Sequence, residues 1–145
     1  MVYRIREVDA SYEEIAEIIQ EFNKAEEQWP LLTDNELYGL HCSWWLAYFK
    51  REPVAFAGVV PSRLYHDTGY LKRSYVMPYH RGHGLQLRFF RVREKKARSI
   101  GWKTLISETT DALHSANNFI RAGYRLFEPK ERWAFERSLY WKKTL

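Results

Sequence analysis

The spacing of apolar residues changes repeatedly along the chain, and each change predicts an element. "VYRIREV" (Val2–Val8) reads as a first strand. "SYEE" (Ser11–Glu14) has the pattern of a capping box, in which the Ser hydroxyl and the Glu carboxylate satisfy orphan amides reciprocally. Behind it Ile15, Ile18, Ile19 and Phe22 recur at helical spacing until "QWPLL" (Gln28–Leu32) interrupts. Thr33 and Glu36 form a second capping box, and Leu37, Leu40 and Trp44 predict a short second helix. "WWLAYFKREPVAFAGVV" (Trp44–Val60) reads as two strands around a turn near Arg51–Glu52, and "TGYLKRSYVM" (Thr68–Met77) as a third, ending at Pro78. Gly84 to Ile100 predicts a helix with Leu85, Phe89, Val92 and Ile100 inward, stopped by Gly101. "KTLISETT" (Lys103–Thr110) is a strand, and "SANNFIRAGY" (Ser115–Tyr124) a short helix closed by Gly123. "YRLF" (Tyr124–Phe127) and "RWAFERSLYW" (Arg132–Trp141) read as two closing strands around "EPKE".

The order β-α-α-β-β-β-α-β-α-β-β predicts an α/β fold, a mixed sheet covered by helices. The unit from Tyr70 to Thr110 should make a parallel strand pair with a right-handed crossover. At 145 residues, with no repeat and no linker-like stretch, residues 1–145 form one domain. Aromatics reach 17%, enough to build both a core and a ligand cleft. The single cysteine, Cys42, excludes an internal disulfide and fits a reducing compartment. No signal-peptide core and no bilayer-length apolar run occur, so the expected setting is soluble and cytoplasmic, with no membrane partner. Net charge is +5 and much of it lies between Arg81 and Lys103, which favours an anionic partner without choosing which.

The chemistry concentrates at "YVMPYHRGHGLQLRFF" (Tyr75–Phe90), where a strand ends, two glycines follow and a helix begins. Such a helix start carries unpaired N–H groups and partial positive charge, and glycine lets a ligand approach the backbone. Gly82 and Gly84 remove side chains there, and Arg81 adds charge. The Lys-Ser/Thr pair of a P-loop is absent, since Leu85 and Gln86 follow, and a dinucleotide fingerprint would need a third glycine. Spacing alone leaves a phosphate site and a structural turn both open. His80 and His83 form H-x-x-H, a poor metal site without a paired acid or Cys, and no metal is expected. Arg88, Arg91, Lys95 and Arg98 share one helix face, either solvated or gripping an anion such as nucleic acid.

"VMPYHRGHGLQ", in its context of four preceding elements and a following strand and short helix, resembles motif A (Q/R-x-x-G-x-G/A) of the GNAT superfamily of acetyl-CoA-dependent N-acyltransferases. Arg81 and Gly84 take its first two fixed positions, while Gln86 departs from the final Gly or Ala. "WLAYFKREPVAFAGVV" resembles the family's central hairpin, and "SANNFIRAGYRLF" its last helix and strand. The resemblance implies a GNAT fold: a mixed sheet of about six or seven strands, about four helices, and a parallel pair splayed at the cofactor cleft. It implies acetyl-CoA as co-substrate, with Ser74, Tyr75 and Val76 bonding the pantetheine arm. Arg81, Gly82, His83, Gly84, Leu85, Gln86 and Leu87 would hold the pyrophosphate. Asn117 and Asn118 either contact the cofactor or simply suit a helix's first turn. Arg88 would meet the 3′-phosphate.

The implied reaction is direct attack of an amine on the thioester in a ternary complex, without metal or covalent enzyme intermediate. Glu108 is the candidate base, or else a paired carboxylate. The family's proton-donating tyrosine position is Phe119, and its cofactor asparagine position is Ala112. Tyr124, Ser115, His114 or solvent must then protonate the leaving thiolate. Trp29 would border the acceptor site, with "EPKER" as the opposite wall. The acceptor could be a small molecule, a protein amine or a modified nucleobase, and a homodimer is left open. The alternatives are a non-catalytic acyl-CoA-binding domain, pointed to by Phe119 and Ala112, or nucleic-acid binding through the basic helix 84–100.

Overall fold

The computed structural model of the chain describes residues 1–26 and 29–145. The strands are β1 (Arg4–Val8), β2 (Ser43–Phe49), β3 (Glu52–Pro61), β4 (Thr68–Val76), β5 (Thr104–Thr109), β6 (Arg125–Leu126) and β7 (Leu139–Thr144). The helices are α1 (Glu13–Lys24), α2 (Asp34–Tyr38), α3 (Leu85–Ile100) and α4 (Leu113–Arg121), with a single 3₁₀ turn at Pro78–His80. The strands form one seven-stranded sheet in the order β1-β2-β3-β4-β5-β7-β6. Every neighbouring pair is antiparallel except β4 with β5. The element order is therefore the one the apolar spacing predicts.

Local chemistry explains where boundaries moved. Ser11 does not cap α1; its hydroxyl and amide both donate to Asp9 Oδ1, at 2.6 and 2.9 Å. A carboxylate two residues back outcompetes the helix amides for that serine. The second box does form: Thr33 N donates to Glu36 Oε1 at 3.0 Å and Glu36 N to Thr33 Oγ1 at 3.2 Å. Helix α2 ends at Tyr38, so Leu40 lies outside it, exposed, while Trp44 belongs to β2 and donates its indole N–H to Glu36 O at 3.0 Å. Gln28 lies outside the described residues, but Leu32 behind it is pinned to α1 by Gln20, which donates to the Leu32 carbonyl at 2.8 Å and accepts its amide at 3.2 Å.

The last strand is shorter than its aromatic run suggests. Arg132 to Ser138 form a loop, because side chains take their backbone groups before a neighbouring strand can. Ala134 N donates to the Tyr140 hydroxyl, Phe135 N to Ser138 Oγ, and Arg132 to the carbonyls of Glu136 and Ser138. Strand β6 likewise shrinks to Arg125–Leu126.

The sheet buries both faces. Trp45, Ala55, Ala57 and Leu71 pack beneath α3 and α4 with Phe89, Phe90 and Phe119. Trp44, Leu46 and Phe56 pack against Ile19 and Leu37 from α1 and α2. Each fully buried large side chain contributes about 1.5–3 kcal/mol. The buried face of α3 comprises Leu85, Phe89, Phe90, Arg93, Glu94 and Ala97, whereas Val92 and Ile100 are only partly covered. Apolar spacing alone does not select the two charged residues facing inward, although Arg93 falls on the Leu85–Phe89 stripe.

Two irregularities shape β4. Opposite β3, Ala57 pairs with Ser74 but Gly58 with Lys72, so Arg73 is an unpaired bulge residue with φ of 49°. Beyond a bulge the side-chain alternation is reset. Leu71, Ser74 and Val76 therefore all face α3, while Tyr75 turns to the α1 side against Phe22. On its other edge, β4 pairs with β5 only at Thr68–Thr104, Gly69–Leu105 and Tyr70–Ile106. Past Tyr70 the two strands part.

Candidate active site

The parting is propped open by a side chain. Ser107 on β5 donates its hydroxyl to the Leu71 carbonyl of β4 at 3.0 Å, a bond that keeps that carbonyl satisfied where the ladder has ended. A cavity of about 390 Å³ fills the gap on the α3–α4 side, with Ser74, Gln86, Phe90, Arg93 and Phe119 in its wall. A second, of about 700 Å³, opens on the side of α2 and the loop before β7, with Glu36, Lys72 and Trp133 in its wall. Tyr70, Arg73 and Glu108 line both, so the two meet at these residues.

The glycine junction immediately precedes Gln86, which lines the first cavity. Gly82 and Gly84 have φ of 81° and 78°, left-handed values that favour glycine. A Cβ at either would meet nothing within 4 Å, so the space before this backbone is open. The first hydrogen bond of α3 runs from Arg88 N to Gly84 O at 3.1 Å, which leaves the amides of Leu85, Gln86 and Leu87 ahead of the helical ladder. Arg81 does not project freely: Nε donates to Val76 O at 2.9 Å, and its guanidinium lies 5.5 Å from the Tyr75 ring centre. It ties the junction to the end of β4. Gln86 accepts a hydrogen bond from the Ser74 hydroxyl across the cleft. His80 is bonded to the Tyr3 hydroxyl through Nδ1 at 2.9 Å, and His83 packs on the same ring at 5.6 Å.

Other expected contacts fall differently. The Leu85 side chain is core and Leu87 is partly covered by it, so only their backbone can serve a ligand. Asn117 is exposed and outside the cavity wall, whereas Asn118, one residue on, lines it. Arg88 donates both terminal nitrogens to the Tyr3 carbonyl at 3.3 Å, which binds α3 to β1 instead of leaving a free cation. Arg91, Lys95 and Arg98 remain on an exposed face.

Glu108 is the carboxylate at the meeting of the cavities. Tyr70 donates its hydroxyl to it, 2.7 Å from Oε2, and Trp133 donates its indole N–H to Oε1 at 2.9 Å. Burial pushes the Tyr70 phenol well above its ordinary range, with the Glu108 charge and hydrogen bond adding to the effect, so Tyr70 remains a donor. Tyr124, the candidate acid, lies elsewhere. Its hydroxyl donates to Glu94 Oε2 at 3.1 Å behind Phe119, and it lines neither cavity. Burial, then the Glu94 charge, pushes this phenol far up. Phe119 takes the wall position itself, stacked on Trp141 at 5.6 Å, and Ala112 and Ser115 line the same cavity. His114 is exposed. Trp29 lines the first cavity with Arg73 stacked over its ring at 4.9 Å.

Four wall residues escaped sequence reasoning: Tyr70, Arg73, Arg93 and Trp133. Arg93 is buried on α3, donating Nε to Phe89 O and Nη1 to Gly58 O at 3.2 and 3.3 Å; burial pushes its guanidinium down to about 10. Trp133 lies in the expected strand Arg132–Trp141, and its indole reaches Glu108 from the loop that forms there instead. A charged residue inside a helix stripe, as at Arg93, was the one usable signal.

Residues 6–124 match the model of the acetyltransferase (GNAT) family. No curated protein matches the sequence. Among solved structures, a protein of Klebsiella pneumoniae assigned as an acyl-CoA N-acyltransferase is 25% identical, with 99% of this chain and 97% of that one covered at a TM-score of 0.79. A Bacillus subtilis acetyltransferase in complex with CoA is 14% identical, with 99% of each chain covered and a TM-score of 0.73. A Salmonella typhimurium protein assigned as an acetyltransferase, with acetyl-CoA bound, is 18% identical over 98% of this chain and 93% of that one, at a TM-score of 0.77.

Proposed function

Because the chain belongs to the acetyltransferase (GNAT) family, we propose that it moves an acetyl group from acetyl-CoA to an amine acceptor by direct attack in a ternary complex. The observation that carries this reading is the fork between β4 and β5. It lies between the cavity lined by Gln86, just behind the open glycine junction, and a second cavity with Glu36, Lys72 and Trp133 in its wall. The residues fit the co-substrate. The backbone of Gly82 to Leu87 offers N–H groups to a pyrophosphate, and the space before Gly82 and Gly84 is open. Ser74 to Val76 offer strand backbone to a pantetheine arm, and Arg81 holds that strand end in place. Acetyl-CoA supplies the thioester carbon and a thiolate leaving group.

In this reading the acceptor enters through the second cavity and meets Glu108. An amine with a pKa of about 10.4 must lose a proton before attack, and Glu108 is the carboxylate placed to receive it, directly or through water. Tyr70 and Trp133 fix its orientation. A C–N bond forms and the C–S bond breaks. The thiolate then takes a proton from solvent or from Ser115, the hydroxyl left on the wall beside Phe119. Phe119 also supports a second reading, an acyl-CoA binder without efficient transfer, since it offers no proton. Thiol release from acetyl-CoA with a panel of amines separates the two. Transfer predicts amine-dependent release that Glu108→Gln lowers by about 10²-fold or more. Binding alone predicts release that no amine accelerates.

A further inference from the structure

Arg73 is an unusual residue to find at the meeting of two cavities. The β4 bulge aims it there, half-buried, and among the described residues it belongs to no ion pair. Its Nε donates to Asn23 Oδ1 at 3.0 Å. Trp29 covers the flat face of the guanidinium at 4.9 Å, which leaves the edge, where both terminal nitrogens carry their protons, without a partner among the described residues. A desolvated cation held in this way is a poor structural element and a good receptor, because the planar fork matches the two oxygens of a carboxylate.

Nearby charges already have partners. Lys72 and Glu36 form an ion pair at 2.6 Å, both largely covered. Burial pushes the Glu36 carboxyl up, but Lys72 and the Thr33 amide outweigh it and hold it below the usual range. Glu108 takes hydrogen bonds from Tyr70 and Trp133, with the Ser107 hydroxyl 3.4 Å from Oε2, and shares both cavity walls with Arg73. An anionic group and an ammonium group thus find complementary partners side by side.

We propose that the acceptor is a small amino acid: Arg73 binds its carboxylate through its two terminal nitrogens while its amine faces Glu108. This rests on the acetyl-transfer reading above. Cavities of about 390 and 700 Å³ suit a metabolite of that size. The Arg73 fork has nothing to bind on an internal lysine of a protein.

The test uses matched acceptors that differ only in the anion: phenylalanine, phenylalaninamide and phenethylamine, and leucine, leucinamide and isoamylamine. The amino acids should show kcat/KM about 10- to 100-fold above their neutral partners. Arg73→Met should raise KM for the acids and bring the acid-to-amide ratio near one, and Arg73→Lys, which keeps the charge without the fork, should restore part of it. Retained stabilisation of both variants by CoA shows that they fold and bind. Neutral amines used as well as acids by the parent, or an equal loss on both classes in Arg73→Met, would overturn the proposal while leaving acetyl transfer intact. So would a panel in which nothing is turned over and no N-acetylamino acid stabilises the CoA complex more than its amide does. Absence of any CoA stabilisation removes the transfer reading and this inference together.

Discussion

Replacing Gly84 by tryptophan separates the stability of the junction from its openness. The residue has φ of 78°, and an added Cβ would meet nothing within 4 Å. The substitution therefore strains the backbone without creating a clash, at a cost of about 1–2 kcal/mol for a left-handed non-glycine residue. In a domain of this length each kcal/mol shifts Tm by about 2–4 °C, so the variant should melt about 2–8 °C lower and still unfold cooperatively. In the parent, CoA at a hundred times its Kd should stabilise by about 2.7 kcal/mol, a rise of about 5–11 °C. The indole would occupy the space before the amides of Leu85 to Leu87, and CoA should no longer shift the variant. Gly101→Ala is the control. Gly101 is also left-handed (φ 99°) and open, but it sits at the far end of α3, so this variant should lose stability and keep the CoA response. Differential scanning fluorimetry with and without CoA reads all three proteins. A full CoA shift in Gly84→Trp, or a parent indifferent to millimolar CoA, would refute the placement of the pyrophosphate.

Two further variants probe the buried phenols. Tyr70→Phe removes a hydroxyl that orients Glu108, so kcat/KM for acetyl transfer should fall by about 10-fold while stabilisation by CoA is kept. An unchanged kcat/KM would mean that Glu108 needs no such orientation. Tyr124 keeps its proton in the fold above the pH near 10 at which it ionises in the unfolded chain, so its share of stability is intact below pH 10 and falls as pH rises beyond it. Tyr70, raised in the same sense, adds to the decline, whereas Arg93, lowered to about 10, opposes it. Tyr124→Phe should reduce the loss of stability between pH 10 and pH 11 by about 1 kcal/mol, read by urea unfolding at the two values; an unchanged loss refutes the assignment.

The parts legible in the sequence were those governed by local rules. Apolar spacing gave the order of the elements, the Thr33–Glu36 box gave the start of α2, and Gly84 and Gly101 gave the limits of α3. In the candidate site, the open glycine backbone at Gly82 and Gly84 was legible from residue type, whereas the effect of a bulge was not. One unpaired residue at Arg73 moved Ser74 to the same face as Leu71 and carried the arginine itself to the cavity junction. Strict alternation, counted straight through Arg73, assigns both side chains to the wrong faces. The Ser11 box failed because Asp9, outside the motif, took its hydroxyl. Tyr124 drew notice as a nearby hydroxyl, yet the stacking of Phe119 on Trp141 leaves it facing Glu94. Such competition between distant side chains has no local signature.

Three rungs join β4 to β5, so the sheet is mechanically two plates: four strands on one side and three on the other. A plate boundary so thinly riveted is where the molecule should flex. Any elongated guest bonded to both lips would act as a splint, stiffening the whole domain from its seam.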